Sequence, residues 1–134
     1  MAKKINYKAK LDTQFSLFVR LRDSMNNGFC RCISCGKVYH WKKLQCGHYM
    51  SRRYMATRFD EDNCHAQCVA CNIFNQGNIQ GYRRGLLIKI GENRINLIEY
   101  KALNTICKYS EFEFKELIKY YKLRTEQLRK EKGL

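Results

Sequence analysis

Phe15, Phe18, Leu21, Arg22 and Met25 recur at three- and four-residue intervals, with Leu17 widening the stripe. That period predicts an amphipathic helix over residues 11–25, with Asp12 near its start. Asn26-Asn27-Gly28 predicts its exit, because Asn and Gly tolerate the left-handed backbone that ends a helix. The preceding residues, with Lys3, Lys4, Lys8 and Lys10, read as a loose basic arm. The pattern then becomes extended: Val38-Tyr39-His40-Trp41, residues 44–49 and residues 63–67 read as strands, the last two as a hairpin.

Helical spacing returns at Cys71. Gly77, Gly81 and Gly85 fall four apart, which predicts either one bare face for close backbone approach or two short helices broken near Gly77. Residues 82–90 read as a helix stopped by Gly91. Residues 92–103 read as another, with Ile95, Ile98 and Leu97 inward. Ser110-Glu111-Phe112-Glu113 matches a capping box, opening a helix toward Lys130 with Phe114, Leu117, Ile118, Tyr121 and Leu128 on one stripe. The expected fold class is α+β in a single domain, 1–134. Residues 1–29 form the arm and first helix, 30–90 the hairpin-plus-helix core, and 91–134 a helical extension ending in a protruding helix. There is no proline and no repeat.

Composition supports a folded chain: 45% of residues are hydrophobic, with seven Phe and nine Tyr. No apolar run approaches the roughly 20 residues that span a bilayer, and Met-Ala-Lys-Lys is followed by no apolar stretch. The expectation is a soluble, cytoplasmic protein with no membrane partner. Charge narrows the partner further. Twenty-six basic against twelve acidic residues leave +14, which points to a polyanion; a generic RNA-binding protein shares that property. Residues 42–59 hold Lys42, Lys43, Arg52, Arg53 and Arg58 and no carboxylate, with Tyr49 and Tyr54 interleaved. They are candidate phosphate contacts, as are Arg83 and Arg84.

Eight cysteines in a chain with no secretory signal favour metal over disulfides. Cys32-x-x-Cys35-Gly36 and Cys68-x-x-Cys71 are two zinc knuckles with 32 residues between them, so Cys32, Cys35, Cys68 and Cys71 are the candidate structural Zn²⁺ ligands. Cys30 and Cys107 read as buried thiols, and Cys46 and Cys64 have no partner at knuckle spacing. His40 and Trp41 read as packing residues. Within the frame lie His48, Asn63 fifteen residues later, and Asn72 behind the second knuckle. These types suit phosphodiester hydrolysis, in which a base deprotonates water while a hard cation neutralises developing charge.

The chain resembles the zinc-framed HNH nucleases and, more closely, the phage NinG/Rap recombination nuclease family. The resemblance rests on Leu11-Asp12, Arg20-Leu21-Arg22-Asp23, Cys32-Ile33-Ser34-Cys35-Gly36, Gly47-His48-Tyr49-Met50-Ser51-Arg52, Thr57-Arg58-Phe59-Asp60, Asn63, Gln67-Cys68, Cys71-Asn72, Gly77-Asn78 and Tyr82. It covers roughly residues 11–125. It implies a zinc-stabilised ββα-metal (HNH/His-Me finger) core with N- and C-terminal helices. It also implies an endodeoxyribonuclease using Mg²⁺ or Mn²⁺ on branched DNA such as Holliday junctions and D-loops, in a bacterial host. By position in the motif, His48 is the general base, Asn63 orients it, and Asn72 offers an oxygen to the cation. Many HNH enzymes place an Asp before the basic His, where this chain has Gly47. Asp60, Glu61, Asp62 and His65 are therefore the further candidates for the catalytic metal. Two other readings stand beside this one: a non-catalytic zinc protein that binds junctions or recruits phage or host recombination proteins, and a homing- or restriction-type HNH nuclease. Symmetric cutting of a junction would suit a homodimer.

Overall fold

A computed structural model describes residues 4–134. The first helix, α1 (Tyr7–Asp23), opens at Asn6, whose side chain accepts from the Ala9 N–H at 3.0 Å. Lys8 and Lys10 are therefore helical, and the predicted loose arm shrinks; its residues 1–3 lie outside the described residues. The helix ends at Ser24, before the Asn-Asn-Gly run, and Met25 is exposed. Leu11, Phe15, Phe18, Val19 and Leu21 are buried along it.

Two small antiparallel sheets follow. Strands β1 (Phe29–Arg31) and β2 (Val38–His40) flank the first knuckle, and a 3₁₀ turn, Trp41–Lys43, leads into β3 (Leu44–His48). After the short α2 (Met55–Arg58), β4 (Cys64–Cys68) returns beside β3, pairing Cys46 with Ala66, Gly47 with His65 and His48 with Cys64. Side chains alternate across a strand, so Cys46, His48 and Cys64 share one face and Gly47, His65 and Gln67 the other. The expected helix at Cys71 is only a π-type turn, Ala70–Phe74, closed by positive φ at Gln76, Gly77 and Asn78.

Both readings of the glycine series hold in part. The chain breaks at Gly77, and α3 (Ile79–Lys89) then lays Gly81 and Gly85 on the backbone of the first knuckle. A Cβ would fall 2.4 Å from the Ser34 carbonyl oxygen at Gly81 and 2.1 Å from that of Ile33 at Gly85. In α4 (Glu92–Asn104), Ile95 and Ile98 are buried, but Leu97 is 56% exposed rather than inward.

The last helix, α5 (Glu111–Lys132), has the predicted capping box. It does not protrude. Tyr7 meets Lys115, Gln14 donates to Thr125, and Lys132 donates to the carbonyls of Leu21, Arg22 and Ser24, so α5 runs parallel to α1 along its length. Lys132 thereby places its charge on carbonyls at the negative end of α1. Tyr121 joins Phe15, Phe18 and Phe59 in one aromatic cluster that also receives Cys64. The architecture is mixed α+β: two small sheets held among helices.

Candidate active site and metal centre

The two knuckles meet. The Sγ atoms of Cys32, Cys35, Cys68 and Cys71 lie within 4.8 Å of one another, and those of Cys35 and Cys68 are 3.8 Å apart. A tetrahedron with Zn–S bonds near 2.3 Å needs thiolates about 3.8 Å apart, so the donor set fits zinc. Burial opposes ionisation of Cys32, yet the N–H groups of Cys68, Cys35 and Ser34 outweigh it and lower its pKa. Burial pushes Cys71 up to about 12, so a metal arriving there must displace a proton. Cys30 is a buried thiol, also raised to about 12 by burial, and His40 and Trp41 pack as aromatic neighbours.

This frame fixes β4 and the turn bearing Asn72, and β4 in turn holds β3. Asn63 is fully buried at the end of the hairpin where the 49–63 connection enters β4. Its Oδ1 accepts from Met50 N–H at 2.7 Å, and its Nδ2 donates to the carbonyls of Met50 and Thr57. Tyr82, also buried, donates its hydroxyl to the carbonyls of Gly47 and Asn63. Asn63 therefore staples the segment around His48 and does not itself reach solvent.

A cleft of about 570 Å³ runs between α1, β3 and the π turn, lined by Asp12, Ser16, Gln45, Cys46, His48, Arg52 and Asn72 among others. His48 donates from Nε2 to the Arg58 carbonyl at 2.9 Å. A carbonyl can only accept, so the proton sits on Nε2 and the lone pair on Nδ1. Nδ1 makes no hydrogen bond among the described residues. Burial pushes the His48 pKa down to about 4, so the ring is neutral at physiological pH. Asn72 donates from Nδ2 to Gln45 at 2.8 Å, which leaves its Oδ1 as the free end of the amide. Cys46, His48 and Cys64 also bring ligand atoms within 4.8 Å of one another, a trio that could hold a soft ion.

Asp60, Asp62 and His65 are not brought into that cleft. Asp60 pairs with Lys101 at 2.6 Å, Asp62 with Arg94, and Glu61 accepts from Tyr121, so this acidic run ties the core to α4 and α5. His65 is 3% exposed on the opposite sheet face. Its Nε2 donates to the Asp62 carbonyl, while Lys89 and Arg22 donate to its Nδ1 beside Asp23. Both ring nitrogens are thus engaged, and burial with the Lys89 charge brings its pKa down to about 4.

The basic candidates divide too. Arg52 lines the cleft, and Lys42, Lys43, Arg53 and Arg84 are exposed. Arg58 is bound to Asp12 and to the Arg52 carbonyl, and Arg83 to Glu92. Asp12 and Gln45 are the cleft residues that sequence reasoning missed. Gly47 is explained sterically: a Cβ there would lie 2.1 Å from Gln67 Oε1, because Gln67 crosses it to reach Ser34 and Gly77.

Cleft and frame define a small cysteine-framed α+β protein whose hairpin places His48, one imidazole nitrogen of which is unpaired among the described residues, in the lining of a groove. The chain belongs to the NinG family: the family described as Bacteriophage Lambda NinG protein matches residues 1–131. It is 33% identical over 94 residues to Protein ninG of Escherichia phage lambda, covering 66% of this chain and 46% of that one. Protein ninG of Salmonella phage P22 gives 34% over 94 residues, 66% of this chain and 46% of that one. Protein ninG of Escherichia phage 933W gives 41% over 69 residues, 51% of this chain and 34% of that one. The chain thus spans less than half the length of these relatives. No solved structure matches it. Among the described residues, no helix is long and apolar enough to cross a membrane.

Proposed function

We propose that the chain is an HNH-type endodeoxyribonuclease that hydrolyses phosphodiesters in branched recombination intermediates, Holliday junctions and D-loops among them. The reading rests on the pairing of an unprotonated, unpartnered His48 Nδ1 with the Asn72 Oδ1 in one open cleft. In it, β3, β4 and the π turn act as a ββα-metal core, and the bound Zn²⁺ is structural.

His48 Nδ1 takes the proton from the attacking water, and Nε2 stays bonded to the Arg58 carbonyl, so the ring keeps its orientation as it charges. A base held near 4 in the free protein is weak. The DNA phosphate entering beside it raises that value, because a nearby anion favours the imidazolium. Asn72 and a cleft carboxylate offer hard oxygen donors, the set that Mg²⁺ or Mn²⁺ takes. When bound, such a cation neutralises charge on the phosphate and the leaving oxygen. Arg52, Arg53, Lys42 and Lys43 hold the backbone. Asn63 is a positioning residue: it keeps the loop after His48 in place.

The test is incubation of the zinc-loaded protein with a four-way junction, a D-loop and linear duplex in Mg²⁺ or Mn²⁺, for wild type and His48→Ala. Branched substrates should be cut by wild type alone; cutting that survives His48→Ala removes the base assignment. Gly47, where a metal-binding Asp stands in many HNH enzymes, favours a second reading, a non-catalytic zinc protein that binds junctions. Tight junction binding without cleavage in either metal would select it.

A further inference from the structure

The cleft lacks the carboxylate that the sequence motif would place at position 47, and Gln67 leaves no room for one there. The acidic run 60–62 is turned outward to Lys101, Tyr121 and Arg94. Among the described residues, one carboxylate lines the cleft with His48 and Asn72, and that is Asp12. It comes from the second turn of α1, far from the motif in sequence.

Its present partner is Arg58, which donates from Nε to Oδ1 at 3.0 Å and from Nη2 to Oδ2. The same residue's carbonyl holds His48. Asp12 and His48 are thus both held by one residue, the first by its side chain and the second by its carbonyl. A carboxylate facing a groove meant for polyanionic DNA is repulsive unless a cation stands between them. Arg58 neutralises it while the groove is empty. A phosphate entering the groove gives the guanidinium a second anion to pair with, and planar bidentate pairing suits phosphate as well as carboxylate.

We propose that Asp12 is the carboxylate ligand of the divalent cation in this cleft, with Asn72 as its companion, and that Arg58 exchanges Asp12 for a DNA phosphate when substrate binds. This rests on the endonuclease reading and supplies the ligand that reading lacks. Asp12 is then a catalytic residue at the metal, and Arg58 changes partner during the cycle.

The experiment measures Mn²⁺ binding to the full zinc-loaded chain by electron paramagnetic resonance, alone and with an uncleavable phosphorothioate junction, beside cleavage assays. Wild type should bind Mn²⁺ more tightly with the junction present. Asp12→Asn keeps an amide against Arg58; it should weaken Mn²⁺ binding about tenfold or more while zinc content and junction affinity persist. Asp12→Glu should recover part of it. Arg58→Met, which leaves the carbonyl in place, should tighten Mn²⁺ binding in the absence of DNA, and it decides the matter if Asp12→Asn fails to retain zinc. The proposal is overturned if Asp12→Asn binds Mn²⁺ as wild type does, even with cleavage impaired, or if Arg58→Met leaves Mn²⁺ affinity unchanged or lower. If wild type neither cleaves nor binds Mn²⁺, the endonuclease reading falls as well; wild-type cleavage with unaltered Mn²⁺ binding in Asp12→Asn removes this inference alone.

Discussion

His48 and His65 project from opposite faces of the strand pair and share almost every property by which an active histidine is picked out. Each donates Nε2–H to a backbone carbonyl at 2.9 Å, and each has its pKa brought down to about 4, chiefly by burial. They differ at the second nitrogen. His48 Nδ1 is unpaired beside an open cleft, whereas His65 Nδ1 is capped by Lys89 and Arg22 over Asp23. A depressed pKa alone therefore does not single out a base; on the endonuclease reading, the unclaimed lone pair is what distinguishes His48.

Substitution should separate the two completely. Under the endonuclease reading His48→Ala lowers cleavage by about 10²- to 10⁴-fold with folding and zinc content intact. His65→Ala should do the reverse, costing about 1–3 kcal/mol by leaving buried donors and Asp23 short of a partner, with cleavage per folded molecule nearly unchanged. Thermal melts run beside cleavage assays decide it. Matching losses from both variants would erase the distinction between the two histidines.

The frame beneath both residues comes next. Cys68→Ser should release zinc and lower the melting temperature by many degrees, since structural zinc contributes folding free energy directly. A stable variant that keeps its zinc would overturn the ligand set.

Acid should strike both histidines alike. Each pKa is depressed in the folded chain, so the stability each contributes is complete above the unfolded value near 6.5 and drains away as pH falls toward 4. Melting midpoints should decline across that window, and the decline should be shallower in His65→Gln. Below it, Asp23 adds a further loss. Burial raises its pKa, but the Arg22 charge and hydrogen bond and Lys89 outweigh that and hold it at about 2. A midpoint flat from pH 7 to 4 would contradict both assignments.

The smallest effect concerns zinc beyond one equivalent. Through Cys46, His48 and Cys64 it should inhibit by occupying the imidazole, and Cys46→Ser should raise the inhibitory concentration several-fold; titration of the cleavage rate with added Zn²⁺ reads it. No comparable effect should touch His65, which belongs to no such ligand cluster among the described residues.

What could be read along the chain was what is local. Each Cys-x-x-Cys spacing carries its own geometry, the Ser110–Glu113 box closes within four residues, and the strands around His48 and Asn63 follow from their own patterning. What could not be read was partnership at a distance. The stripe on α5 announces a buried face without saying that α1 covers it in parallel. Asp12 looks like an ordinary first-turn acid until Arg58, 46 residues on, reaches it. The run 60–62 looked like a ligand cluster because proximity in sequence to Asn63 was all it showed; its side chains had already been claimed by Lys101, Tyr121 and Arg94. Helix α1 likewise begins earlier than its apolar stripe, because Asn6 caps it while residues 8–10 face solvent.

The hold on His48 is a main-chain oxygen, and this gives position 58 an unusual genetic character. No side-chain replacement there deletes the acceptor, so a saturation library would tune the grip on Asp12 and leave the imidazole's proton where it is. Only chemistry on the backbone reaches it: an ester in place of the 58–59 amide would weaken that oxygen and loosen the ring. On the endonuclease reading, Asp12's partner is open to change by point mutation at position 58, whereas the carbonyl that holds His48 is inherited with the fold.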